Sequence, residues 1–416
     1  MSTATTNFVD PQTGAINHAR QPVWRTTYKD LAPRLGLAYR LDSSGRTVVR
    51  AGVGIYYDSS LSIATDLING GPLTLSQYES DRIAPFDSQL IYAFTPDLHL
   101  PLVKQWSATV EHAFGDYDTV SIGYVGAAGR QLIRREMGGL GSSPDIWVAL
   151  TTNDGSSDYD ALNVQYRRRL ARGVQALVTY TWSHSLDDGS SDSGLYWAGS
   201  GQDYWSNSPL ALSSERGSSD FDIRHAISAA FTYAPLRRFT GPLARFTKGW
   251  AVDGIFQART GFPIDLLDTG QFMGLTLANA FRPDLVSGQP IWIADASAPG
   301  GRRLNPAAFS AAPEFVQGNL GRNAITGFGM AQVDLALRRD FPVREGRSVE
   351  LRMEAFNALN HPNFADPVNF LASPLFGYSA SMLNVMMGSG SPGSGLAPMF
   401  QAGGARSVEV SVRFRF

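Results

Sequence analysis

The 416-residue chain contains no cysteine, which excludes a disulfide scaffold and any thiolate metal site. It has no run of 18 or more apolar residues, so no segment reads as a transmembrane helix. Charge is scarce, at 17%, and nearly balanced, with 35 Lys+Arg against 37 Asp+Glu. A nucleic-acid binder would show a basic excess, so none is expected as a partner. Only six histidines occur, and none has HExxH-type ligand spacing. The opening residues, Met1 to Phe8, have no basic start and no apolar core, so no signal peptide is read there.

What the chain does have is glycine, aromatic residues and alternation. The 42 glycines and 11% aromatic content suit a β-protein with frequent turns. Apolar residues recur at every second position in segments of about nine to eleven residues, the length a tilted membrane-crossing strand needs. The clearest segment is Arg406–Phe416. There Val408, Val410, Val412, Phe414 and Phe416 share one face, and Ser407, Glu409, Ser411, Arg413 and Arg415 the other. The same pattern marks Pro33–Leu41, Thr47–Tyr57, Lys104–Phe114, Thr119–Gly126, Tyr159–Leu170, Val174–Trp182, Asp222–Tyr233, Gly249–Thr260, Gln332–Arg338 and Ser348–Phe356. That makes about eleven predicted strands.

Their connections alternate. Short ones fall near 42–46, 115–118, 171–173, 234–248 and 340–347, and long ones near 58–103, 127–158, 183–221, 261–331 and 357–405. Transmembrane barrels have short periplasmic turns and long external loops, and soluble domains rarely hold so many long irregular connections. A soluble antiparallel sheet with one wet face is the competing reading. Aromatics at the strand ends, such as Tyr56, Tyr57, Tyr180, Trp182, Phe231 and Tyr233, favour the membrane, where they would form interfacial girdles. The fold expected is therefore an all-β antiparallel transmembrane barrel portion. Residues 1–32 are read as the remnant of an external loop or a linker, and 33–416 as the barrel region.

Three motifs bear on chemistry. Ser183-His184-Ser185 with Asp187 could suggest a triad, but a rim or lumen histidine is the stronger reading. The Asp-rich stretch 187–192 could offer Ca²⁺ ligands, yet it lacks the spacing of a calcium loop. Gly388, Gly390 and Gly393 fit GxGxxG literally, but no strand precedes them and Pro392 interrupts any helix. No enzyme activity and no cofactor are expected.

Several stretches are shared with one family. They are Ala32-Pro33-Arg34-Leu35-Gly36-Leu37-Ala38-Tyr39, then Val49-Arg50-Ala51-Gly52-Val53-Gly54-Ile55-Tyr56-Tyr57-Asp58, then Ser121-Ile122-Gly123-Tyr124-Val125-Gly126. Further on come Tyr180-Thr181-Trp182-Ser183 with Asp187, Asp222-Ile223-Arg224-His225, and Gly318-Asn319-Leu320-Gly321-Arg322-Asn323. The last is Glu354-Ala355-Phe356-Asn357-Ala358-Leu359-Asn360-His361-Pro362-Asn363-Phe364. In this order they resemble the barrel region of TonB-dependent outer-membrane receptors, of the Oar-like group. The resemblance implies about 22 strands around a plugged lumen, uptake of a bulky ligand, and energy delivered by a TonB-type coupling protein.

Against that pattern the sequence shows no TonB box, no carboxypeptidase-regulatory-like domain and no plug. The expectation is a C-terminal fragment, about eleven strands of the whole, which meets the coupling protein only through a missing N-terminal barrel and plug portion. A structural or adhesive surface barrel without active transport is the alternative. A twelve-stranded barrel closed by a further strand near Gln89–Phe94 or Pro22–Tyr28 is the alternative architecture.

Two sets of site residues follow. Phe416 with Phe414, Val412, Val410 and Val408 resembles the terminal signal read by the barrel-assembly machinery. Asp334, Arg338, Glu350, Arg352, Glu354, Glu409, Arg413 and Arg415 share the non-apolar face of the last three strands. On the lipid side an arginine at mid-depth would cost about 2–4 kcal/mol, so these charges are expected to face a lumen as a ladder of opposite charges across adjacent strands. Outer-membrane lipid is the expected partner of the apolar face.

Overall fold

The computed structural model describes residues 6–9, 16–19, 27–58, 76–78, 88–140, 143–190, 216–234, 249–268, 282–313, 318–344, 346–389 and 402–416. Eleven strands form one continuous antiparallel path. They are β1 (Arg34–Arg40), β2 (Thr47–Tyr57), β3 (Leu102–Phe114), β4 (Asp118–Leu140), β5 (Ser143–Ala171), β6 (Val174–Asp187), β7 (His225–Tyr233), β8 (Trp250–Arg259), β9 (Met330–Arg344), β10 (Arg347–Phe356) and β11 (Ser407–Arg415). Each pairs with its neighbours in chain order, so the sheet is an up-and-down meander with β1 and β11 at its two ends.

Local chemistry sets the tight turns. Between β1 and β2 the Asp42 carboxylate accepts the backbone N–H groups of Arg46 (2.8 Å) and Thr47 (2.6 Å) and the Ser44 hydroxyl (2.8 Å). Hydrogen bonds from Thr47 and Ser44 hold its pKa well below the usual carboxylate range. Gly45 closes that turn at φ 68°, in the left-handed region that glycine enters without steric cost.

Period-two sequence becomes two chemically distinct faces, because successive side chains of a strand point to opposite sides. Leu35, Leu37, Val53, Val110, Ile122, Trp182, Phe231, Leu351, Met353 and Val410 are all exposed on one face. Two glycines on that face make room for neighbouring rings. A Cβ at Gly126 would lie 2.3 Å from the Trp106 ring, and one at Gly254 2.3 Å from Phe231.

Three expectations need correction. The segment 127–158 is not a loop: β4 and β5 run on as a hairpin, paired to Gly139↔Trp147 through bulges near Leu132. Backbone pairing continues there without the apolar alternation that marks a membrane strand, so the pattern gave no signal. Ser88–Phe94 is a strand, but it lies parallel to Ile146–Thr151 on this hairpin and does not close a barrel. The ribbon Thr6–Val9 with Ile16–Ala19 joins the same assembly through Phe8↔Phe94. Most of Pro22–Tyr28 lies outside the described residues, as do 235–248 and 390–401.

The long connections after β8 and β10 are also not irregular throughout. Among the described residues they carry three short ribbons: Pro263–Ile264 with Ile325–Thr326, Asp284–Leu285 with Phe309–Ser310, and Trp292–Ala294 with Arg302–Leu304. Ile264, Leu266, Leu304, Ala308, Phe309, Leu320, Ile325 and Phe376 pack into a buried core of their own. Phe376 comes from the second connection, so the two connections fold as one unit.

Candidate functional site

The polar face carries its densest charge at the short-turn end of β8–β11. Arg338 Nε is 2.8 Å and Arg352 Nη1 3.3 Å from the same Asp253 carboxylate oxygen. Arg352 also meets Glu354 at 2.9 Å, along its own strand. Glu350 is only 3% exposed. It receives Arg415 at 2.6 Å, Arg338 at 3.9 Å and Arg413 at 4.0 Å. Arg415 reaches Asp340 as well, at 3.5 Å. One buried carboxylate held by three guanidiniums is the kind of multiply satisfied arrangement that makes a buried charge tolerable.

This net differs from a simple ladder of opposites. Direct cross-strand partners are like-charged at Arg338↔Arg352, Asp340↔Glu350 and Glu354↔Glu409. Glu350 and Arg413 are direct partners of opposite charge, but the shorter contact of Glu350, to Arg415, and its contact to Arg338 run diagonally, because long arginine side chains reach a neighbour two residues along. Asp334 serves differently again: it accepts the Asn357 backbone N–H at 2.7 Å and the Gln332 amide at 2.9 Å. Sequence reasoning missed Asp253 and Asp340, although both occupy polar positions of their alternating strands.

At the opposite end, motif residues far apart in sequence meet. Arg322, with its side chain wholly buried, donates to the Asp187 carbonyl at 2.7 Å and pairs with the Asp187 carboxylate. Asn323 donates to Ser218 O and to Asp220 Oδ1, both at 2.7 Å. Asp222 accepts the Ser185 backbone N–H at 2.8 Å and faces His184 Nδ1 at 3.0 Å. Asn357 donates to the carbonyls of His361 (2.8 Å) and Gly404 (2.9 Å). Asn323, Asn357 and Asn360 have φ of 54°, 46° and 53°. Asparagine tolerates that left-handed region better than other side chains do, which explains its place in these motifs. These contacts tie the unit formed by the two long connections to the ends of β6 and β10.

These contacts occupy the groups that suggested chemistry. Ser183 donates its hydroxyl to Ile223 O at 2.8 Å. His184 points to the other face of the strand, so the two do not form a nucleophile–base pair. Asp188 accepts from the backbone N–H of Ser156 at 2.8 Å and from Arg216 at 3.3 Å. Asp192 and Gly390–Gly393 lie outside the described residues. Among the described residues no group of three or more His, Asp or Glu is arranged to hold a metal ion.

A sheet of this length, with one mostly apolar face exposed and the other richly charged, is a membrane-spanning β-barrel wall. The family described as "Outer membrane beta barrel domain" matches residues 2–384, and the chain belongs to it. It is a protein of the cell outer membrane. The structure is similar to the outer membrane transporter YddB from Escherichia coli, at 11% identity and a TM-score of 0.53, over 98% of this chain and 42% of that one. The chain thus spans less than half the length of this relative. It is also similar to the FrpB iron transporter from Neisseria meningitidis (12% identity, TM-score 0.44, 92% of this chain and 39% of that one). A third similarity is to the siderophore receptor PiuA from Acinetobacter baumannii (9%, 0.43, 92% and 35%). No curated protein matches the chain.

Proposed function

We propose that the chain is the C-terminal barrel portion of a TonB-dependent, Oar-like receptor that takes up a bulky ligand. The observation that carries this reading is the open sheet. Eleven strands pair in sequence, with β1 and β11 as its two ends. Unpaired strand edges are not tolerated in hydrocarbon, so further strands must cover both. A wall completed by roughly eleven more strands reaches the size class of plugged transporters. The charged inner face then lines the lumen and meets a plug, and the coupling protein acts through the portion that carries the plug. The fold similarity to an E. coli outer membrane transporter supports the same reading.

The absence of cysteine makes the architecture directly testable. Leu37→Cys in β1 and Val412→Cys in β11 form no disulfide within one chain if other strands stand between them. A high-yield Leu37–Val412 cross-link would instead establish closure of these eleven strands on themselves. Transport is tested by comparing depletion of medium components by cells with and without the gene, before and after collapse of the proton gradient. Depletion that ignores the gradient would favour a surface barrel without active uptake.

A further inference from the structure

The charge on β8–β11 is segregated by face. Every carboxylate of these strands among the described residues (Asp253, Asp334, Asp340, Glu350, Glu354 and Glu409) occupies the polar face. The apolar face of the same strands carries no acidic residue at all. It does carry three arginines, all at the short-turn end.

Arg339 stands opposite Trp250 on one side and Leu351 on the other. Its guanidinium lies 4.7 Å from the Phe341 ring centroid and 5.2 Å from that of Trp250. One row further toward the turn, Phe341, Val349 and Phe414 stand side by side. At the turn itself Arg344 faces Arg347 directly, and both are exposed. Glu345, in the turn, lies outside the described residues.

The layout is a row of apolar side chains facing hydrocarbon, then Arg339 among aromatics, then an aromatic row, then two exposed arginines. Successive rows on one face are about 7 Å apart along the strand. The arginines therefore straddle the depth at which a bilayer changes from acyl chain to headgroup, where aromatic belts also lie. Guanidinium is the cation best matched to phosphate, because its fork of donors can bind two oxygens at once.

We infer that Arg339, Arg344 and Arg347, bracketed by Trp250, Phe341 and Phe414, form a binding site for the headgroup phosphate of an anionic phospholipid in the periplasmic leaflet. The site follows from the outer-membrane location and the two-faced sheet, and stands independently of whether the barrel transports anything. The occupant is a lipid rather than a protein because the patch is continuous with the lipid-facing apolar band.

The test uses the full chain, purified in detergent and offered equal phosphatidylglycerol and phosphatidylcholine, with retained lipid measured by mass spectrometry. The wild-type chain should retain phosphatidylglycerol at least about fivefold over phosphatidylcholine, the scale set by one basic residue near an anionic surface. Arg339→Gln, Arg344→Gln and Arg347→Gln together should bring the ratio close to one, while Arg167→Gln, on the polar face, should leave it unchanged. Heat-modifiable gel mobility establishes that each variant is folded. If the triple variant fails to assemble, Arg344→Gln with Arg347→Gln alone, both at the exposed turn, should still lower the ratio severalfold. A ratio that survives these substitutions, or that falls equally in Arg167→Gln, overturns the site. So does a triple variant that loses assembly yield while its folded fraction keeps the wild-type ratio, because the patch would then be a protein contact.

Discussion

Arg322 and Asp187, 135 residues apart in sequence, form a buried ion pair in which the arginine also donates to the aspartate's own backbone carbonyl. The pair joins the long connection after β8 to the end of β6. Removing one partner leaves an uncompensated buried charge, which costs about 3–5 kcal/mol. Arg322→Met should lower the resistance of the unit formed by the two long connections to urea and protease by that order. Adding Asp187→Leu should recover a large part of the loss. Equal stability of Arg322→Met and wild type in urea titration would show that the pair does not hold the unit.

Phe416 is 94% exposed, so its deletion removes almost no packing. The expected outcome is a split: the yield of folded, membrane-inserted protein falls, while the unfolding midpoint of the fraction that does insert stays at the wild-type value. Heat-modifiable mobility of membrane fractions gives the first quantity and denaturant titration the second. Unchanged yield would remove Phe416, and with it the alternation back to Val408, from any role as an assembly signal.

The two faces make opposite predictions for the same substitution. Met353→Arg places a cation among Leu337 and Val410 on the apolar face and should destabilise by about 2–4 kcal/mol if that position lies at mid-depth in the bilayer. Gln165→Arg, on the polar face between Ser121 and Thr179, should cost much less. Reversible unfolding in lipid vesicles measures both. Equal costs would contradict a lipid-facing and a water-facing side.

Asp366 lies in the long connection after β10, where its carboxylate accepts the Phe328 backbone N–H. Burial pushes its pKa up to about 7 from an ordinary 3.8, against the opposing pull of Arg259 and the Phe328 hydrogen bond. Between those two values the folded state holds a proton that the unfolded state has released. Stability of the unit formed by the two long connections should therefore fall as pH rises from about 4 to about 7 and level off above that range. Asp366→Asn should flatten this dependence. Thermal unfolding followed across the pH range checks it, and an unchanged slope in Asp366→Asn would assign the dependence to other groups.

Much of the wall was legible from residue order. All eleven strands lie where alternation predicts them, and β2 has the predicted bounds, Thr47–Tyr57. The length of β4 and β5 was not legible, because the sequence beyond Gly129 lacks the period-two alternation that marks the other strands. Asn323 and Asn357 stood inside recognisable motifs, but their use as left-handed turns that tie distant strands together was not readable from the motif alone.

The sequence by itself determined the strands and their two faces, because period-two alternation is local geometry and needs no knowledge of distant partners. It also determined that the acidic residues of the last four strands lie on one face and most of their apolar surface on the other. Only the tertiary structure decided which carboxylate each arginine meets. Register places Arg338 opposite Arg352 and leaves Asp253, 85 residues from Arg338, to receive them both. It likewise decided that two long connections share one core, since Phe376 reaches Phe309 only after the chain has crossed the sheet twice more. Such contacts depend on where separate strands end in space, and no local pattern encodes that.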